Sequence, residues 1–231
     1  MKVCVFLLPI ALCLTRFSAS AQDCSTGFYP IKEGTHFQMT FYDEKGKANN
    51  VSDQTIKTST TTATGVTLTI SQNMTNSKGK TFLENSTSTV TCENGVIQMN
   101  ISDMSMGDVF SKFKGMEVTV KGDGVKIPPS MEVGQQLSDG ATEFKVGMSG
   151  MTIMTMSFNM TNRKVEAKES KTTPAGTFDC YKISYDMEMK GMGKRSFHVV
   201  QWMAKGVGLV RSENYKDNQL NGYIELTKFE K

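Results

Sequence analysis

Ile153-Met154-Thr155-Met156-Ser157-Phe158-Asn159-Met160-Thr161 is the stretch whose spacing decides the fold. Met154, Met156, Phe158 and Met160 occupy every second position, and Thr155, Ser157, Asn159 and Thr161 fill the places between them. Side chains of a strand alternate between two faces, so this period of two describes a strand with one apolar and one polar face. A helix would need apolar residues three and four apart. The same alternation, rich in Thr, recurs on both sides. It covers 35–41, 51–59, 65–74 and 82–92 upstream, resumes at Phe144, and continues through 165–170, 178–189, 196–203, 208–215 and 222–229.

Turn chemistry punctuates these runs. Asp43-Glu44-Lys45-Gly46-Lys47 and Asn76-Ser77-Lys78-Gly79-Lys80 are nearly the same hairpin written twice, each with a glycine for a positive-φ position. Asn94-Gly95 and Gly122-Asp123-Gly124 mark two further turns, and Thr173-Pro174-Ala175-Gly176 places Pro and Gly in a tight one. Pro128-Pro129 cannot lie in a central strand and reads as a loop or an edge. Only between Ser102 and Gly115 does the pattern change. There Met104, Met106, Val109, Phe110 and Phe113 recur at mixed spacings behind a capping Ser102 or Asp103, which predicts one short helix near 103–114. The expected fold is all-β: a curved antiparallel meander sheet or a partly closed barrel, with strands adjacent in sequence adjacent in space.

The 231 residues are 38% hydrophobic, 9% aromatic and 21% charged, a globular composition that excludes disordered and collagen-like chains. Residues 1–21 combine Lys2, an apolar run over 3–14 and Ala19-Ser20-Ala21, the three parts of a secretory signal, so the mature chain is expected to begin at Gln22. No other stretch has the roughly 18–20 apolar residues of a spanning helix, and a periplasmic or secreted protein that does not span a membrane is expected. Residues 22–231 carry no linker rich in Pro, Gly or Ser. A single β-rich domain fits, as do two packed β halves meeting near 115–140.

Charge gives no hint of a partner. Removing the signal takes away Lys2 and Arg16 and leaves 24 basic against 23 acidic residues, and Lys164, Glu166, Lys168, Glu169 and Lys171 alternate in sign. A nucleic-acid binder would concentrate basic residues on one face, so no nucleic acid is expected. The mature chain keeps Cys24, Cys92 and Cys180. In an oxidising compartment three cysteines read as one disulfide and one leftover thiol. Cys24 lies in an N-terminal segment that benefits from anchoring and Cys92 ends a strand-like run before Glu93-Asn94-Gly95, so these two are the expected pair and Cys180 a small buried apolar residue. Neither Cys13 nor Cys24 has the small-residue approach of a lipoprotein signal, so no lipid tether is expected.

The 17 methionines are the most unusual feature. Met-x-Met occurs at 104/106, 154/156 and 187/189. Three readings fit: adaptable core packing, the floor of a concavity for a lipid or other apolar ligand, and soft thioether ligation of Cu(I). The copper reading is the weakest, because an amphipathic strand generates Met-x-Met by itself and no histidine adjoins a pair. Met154, Met156, Phe158, Met160, Met187 and Met189 are thus the candidate ligand-lining residues, with no metal and no cofactor expected. Catalytic motifs are absent: no G-x-S-x-G, no phosphate-binding glycine loop, no H-E-x-x-H and no C-x-x-C, with only His36 and His198 as histidines.

Arg163-Lys-Val-Glu-Ala-Lys-Glu-Ser-Lys-Thr-Thr-Pro-Ala-Gly-Thr-Phe-Asp-Cys-Tyr181 resembles the TapB-like group of uncharacterised exported proteins of Bacteroidetes-type bacteria, which is related to a wider periplasmic domain family of unknown function. Residues 24–34, the turn 42–47, and 206–213 followed by 222–226 carry the same resemblance, which spans nearly all of the mature chain. It implies a periplasmic curved sheet or partly closed barrel akin to lipoprotein-carrier folds, and it brings no established activity. The expected function is that of an exported, non-enzymatic binding protein holding a lipid or apolar ligand in a Met-lined concavity. The alternative is a structural or interaction module that engages another envelope protein.

Overall fold

The computed structural model describes residues 24–99, 116–122, 124–191 and 193–231. The signal segment 1–21, the helix expected near 103–114 and the Met104/Met106 pair lie outside the described residues. A single 3-10 turn, Cys24–Thr26, precedes thirteen strands among the described residues. In chain order these are β1 (His36–Asp43), β2 (Ala48–Thr61), β3 (Gly65–Asn76), β4 (Thr81–Glu93), β5 (Val96–Met99), β6 (Glu117–Lys121) and β7 (Val125–Ile127). They are followed by β8 (Gly140–Met148), β9 (Met151–Thr173), β10 (Gly176–Lys190), β11 (Arg195–Ala204), β12 (Gly208–Lys216) and β13 (Gln219–Glu230). All belong to one antiparallel sheet of order β6-β8-β9-β10-β11-β12-β13-β1-β2-β3-β4-β5-β7, so the all-β, curved-meander reading holds.

The two written-alike hairpins fold alike. Asp43 Oδ1 accepts from the amides of Lys45 and Lys47 at 3.0 and 2.8 Å, and Asn76 Oδ1 from those of Lys78 and Lys80 at 3.0 and 3.1 Å. Gly46 and Gly79 take φ of 76° and 75°, a conformation that costs a glycine little. The two runs expected at 151–160 and 165–170 are one 23-residue strand, β9, whose ladder with β10 shifts register twice, at Asn162–Arg163 and at Glu166. The alternation reading missed β5, β6 and β7, which have four, five and three residues, and each is too short to display a period.

The pairing also departs from a pure meander in three places. β13 returns to β1, β5 pairs with β7, and β6 pairs with β8. β6 and β7 form opposite margins of the sheet, yet only residues 122–124 separate them in the chain. Four Cα steps reach at most about 15 Å, so the sheet must curl until the Lys121 end of β6 and the Val125 end of β7 come within that reach. Arg163 of β9 fastens them: its Nη1 donates to the carbonyl of Lys126 in β7, at 3.2 Å, and to that of Ser138 on the approach to β8, at 2.5 Å. Gly140 packs against the same seam, where an added Cβ would lie 3.0 Å from the Gly124 carbonyl oxygen.

The inner face of the curl is the main core, from Ile56, Leu68 and Ile97 on the N-terminal strands to Phe144, Val165, Ile183 and Leu226 on the C-terminal ones. Phe28, fully buried, follows the 3-10 turn into this core and meets Tyr181 edge to face at 5.4 Å. The Cys24–Cys92 disulfide ties that segment to the end of β4, as the sequence suggested, with Cα atoms 6.0 Å apart. A second, smaller cluster unites Cys180, Trp202, Ala204 and Val210. Trp202 donates from Nε1 to Glu169 at 2.6 Å, and Lys171 Nζ sits 3.9 Å from its ring centroid.

Candidate functional site

Four neighbouring strands, β8 to β11, carry the candidate site. In the β9–β10 ladder Met160 faces Met187 and Phe158 faces Met189, so the period of two sets Met154, Met156, Phe158, Met160, Met187 and Met189 on the core-facing side. Met156, Phe158 and Met160 are buried, and Phe158 meets Phe144 edge to face at 5.4 Å. Met154, Met187 and Met189 are half-buried against the same core. The stripe is therefore a continuous thioether and aromatic surface that is sealed along one side and partly open along the other.

An open recess of about 700 Å³ adjoins it. Met160 and Met187 reach its wall, and Asn159, Thr161, Asp186, Glu188 and Ser196, which alternate with the core-facing positions, supply the polar remainder together with Asp139. Gly122, Gly140 and Ala141 bring the margin of the sheet to the same place. The bulge at Asn162–Arg163 shapes this wall. Ser184 pairs with Lys164 and Asp186 with Thr161, so Asn162 and Arg163 together oppose Tyr185. The extra residue moves β9 by one position, which turns Arg163 and Val165 inward where the even-numbered residues had pointed before. Asn162 takes a left-handed φ of 58° and donates from Nδ2 to Asp186 Oδ2 at 2.8 Å.

Two of the acids that line the recess, Asp186 and Glu188, are already engaged. His198 Nδ1 lies 3.0 Å from Asp186 Oδ1. Hydrogen bonds from Asn162 and then His198 hold the Asp186 carboxyl below its ordinary value. Glu188 is bridged by Lys190 at 2.7 Å and Lys194 at 2.6 Å, and these two ammonium groups lower its carboxyl as well. The Asp186–His198 pair is about half exposed on both sides, so water competes for it, and it reads as a surface hydrogen bond. Among the described residues no group of three His, Cys, Asp or Glu side chains is placed to hold a metal ion. The arrangement can receive an apolar group against Met160 and Met187 and can hydrogen-bond a polar end at its rim. Cys180, buried in the smaller cluster, takes no part, and burial pushes its thiol up to about 11.

Reading by residue type did not single out Asn162, Arg163, Asp186 or Glu188. A signal for the first two exists: the apolar phase runs on even positions through Met160 and on odd ones from Val165, which is how one inserted residue looks in a sequence. Outward acids on a strand carry no such mark.

Solved structures share this architecture. One, from Bacteroides fragilis, is described as an exported protein with a YmcC-like fold; it is 22% identical, superposes with a TM-score of 0.74, and covers 89% of this chain and 100% of its own. Another, described as a lipoprotein from Parabacteroides distasonis, is 23% identical with a TM-score of 0.75 and covers 90% of this chain and 100% of its own. No curated protein matches the chain. No helix among the described residues is long and apolar enough to cross a membrane. The match of the DUF3108-like family model to residues 32–226 agrees with this fold over most of its length, and the chain belongs to the DUF3108-like family.

Proposed function

We propose that the protein is an exported, non-enzymatic binding protein of the cell envelope that holds a lipid or other apolar ligand against its methionine surface. One observation carries this reading: the cross-strand pair Met160 and Met187 continues the core stripe out to the wall of an open recess. Thioethers are polarisable and rotate freely, so such a wall adapts to chains of varied shape better than branched side chains do. Recesses of a few hundred Å³ lined by apolar residues and rimmed by a few polar groups are the usual form of small-molecule sites. Export through the signal at 1–21 and a periplasmic or secreted location belong to the same reading, as does the narrower kinship with the TapB-like group. A purely structural or interaction role is the alternative, favoured by the exposed apolar residues Val118 and Val120 on β6.

Native mass spectrometry of the chain from Gln22, expressed in a bacterial periplasm and sprayed without extraction, tests the proposal. Extra mass in the lipid range is expected, and a Met187→Ser variant, changed at the half-buried position of the pair, should lose it while its thermal midpoint shows that the fold is kept. A bare protein mass, two hydrogens light for the disulfide, would sink the apolar-ligand reading.

A further inference from the structure

β6 is a margin of the sheet whose five residues, Glu117-Val118-Thr119-Val120-Lys121, are all exposed. Among the described residues it pairs with β8 alone, which leaves its second edge without a strand. Val118 and Val120 stand opposite the buried Val146 and Phe144 of β8, yet they are 39% and 41% exposed. They extend the apolar side of the sheet to a point where nothing described covers it. Free edges of this kind are templates for further strand pairing, and folded proteins usually blunt them with proline, a bulge or an inward-facing charge. β6 has no proline, and its ladder with β8 runs in register without a bulge. Its two charges sit at its ends and point away from the valines.

The order of those charges selects the occupant. Laid antiparallel on a second copy of itself about Thr119, the sequence is self-complementary. Glu117 meets Lys121 at both ends, Val118 meets Val120 twice, and Thr119 meets Thr119 on the axis. Opposite charges and β-branched pairs directly across an antiparallel ladder are the favourable combinations. A two-fold axis through one residue is also the geometry of an isologous dimer. We infer that β6 is a self-association edge, through which two copies of this chain join their sheets into one continuous antiparallel sheet. Five residues per copy make a small interface, well under the roughly 1,000 Å² expected of a permanent one, so the dimer forms and dissolves with concentration.

Charge reversal tests the register. Sedimentation velocity of the chain from Gln22, from 10 µM to 1 mM, should show a reversible shift from monomer to dimer. Glu117→Lys and Lys121→Glu, each made alone, place like charges opposite each other twice and should weaken the dimer by about tenfold or more. The double reversal Glu117→Lys/Lys121→Glu restores both pairs and should return the wild-type constant, and a mixture of the two single variants should associate better than either alone. All these positions are exposed, and equal thermal midpoints would show that folding is unaffected. A wild-type chain that stays monomeric to 1 mM, or single reversals that dimerise as well as the wild type, would overturn the inference.

Discussion

Glu213 shows how one side chain on the outside of the sheet can be decisive. Arg211 donates to it from Nε at 2.7 Å and, from Nη1, to Glu225 at 2.6 Å, while the Tyr215 hydroxyl donates to Glu213 at 2.6 Å. Arg211 also lies 4.0 Å from the Tyr223 ring centroid, and Tyr223 stacks on Tyr42 at 4.6 Å, so the network crosses from β12 through β13 to β1. Partial burial works to raise the Glu213 carboxyl, but the Tyr215 and Arg211 donors outweigh it and the net direction is downward from 4.5. The bond to Glu213, with burial second, pushes the Tyr215 phenol up to about 12. A carboxyl depressed in the folded state contributes stability that is full above its unfolded value and is lost as pH falls through the folded one. A raised phenol contributes stability that is full below pH 10 and is lost between 10 and about 12. Glu213→Gln should therefore cost about 2 kcal/mol at pH 7 and flatten both the acid and the alkaline limbs of stability. Urea unfolding at pH 3, 7 and 11 measures this, and an unchanged pH profile would show that the network contributes nothing.

At the scale of the element, the turns teach more than the strands. Asp43 and Asn76 each collect two backbone amides with one side-chain oxygen, which closes a loop whose glycine supplies the left-handed step. Asp43→Ala and Asn76→Ala should each cost about 1 kcal/mol, while Asp43→Asn should be nearly neutral because the accepting oxygen is kept. Urea midpoints of the three variants decide the matter, and a destabilising Asp43→Asn would assign the effect to charge instead. These hairpins were legible because turn chemistry is local, and the long strands were legible because a half-buried strand repeats its pattern over many residues. β5, β6 and β7 were not, since three to five residues hold at most two periods, and β6 and β7 also pair with strands some twenty or more residues away. The Cys24–Cys92 bridge was legible by position. It closes a span of 68 residues, which in the chain-entropy account removes about 4 kcal/mol of unfolded-state freedom.

For the whole molecule, the methionine stripe was readable as a face, but the recess was not. A recess depends on a bulge, a sheet margin and a rim of outward acids that come from four strands. Curling of the sheet sets all of these, and Arg163 hydrogen-bonds β9 to the far margin. It is 4% exposed, and burial pulls its guanidinium down from the usual value while Tyr185 and Asp139 hold it up. Its two carbonyl acceptors belong to Lys126, between the buried Val125 and Ile127, and to Ser138, next to the buried Leu137. Arg163→Met keeps the length and the apolar contacts of the stem but leaves both acceptors without this donor, at a cost of about 2 kcal/mol. The loss should be local before it is global. Amide exchange over 125–127 should accelerate while that of the β9–β10 ladder stays slow, because the backbone pairing of β7 among the described residues is the short β5 ladder, with this clasp at its outer side. Uniform acceleration across all strands would instead mean that Arg163 supports the core as a whole, and unchanged exchange at 125–127 would mean that the margins stay together without it.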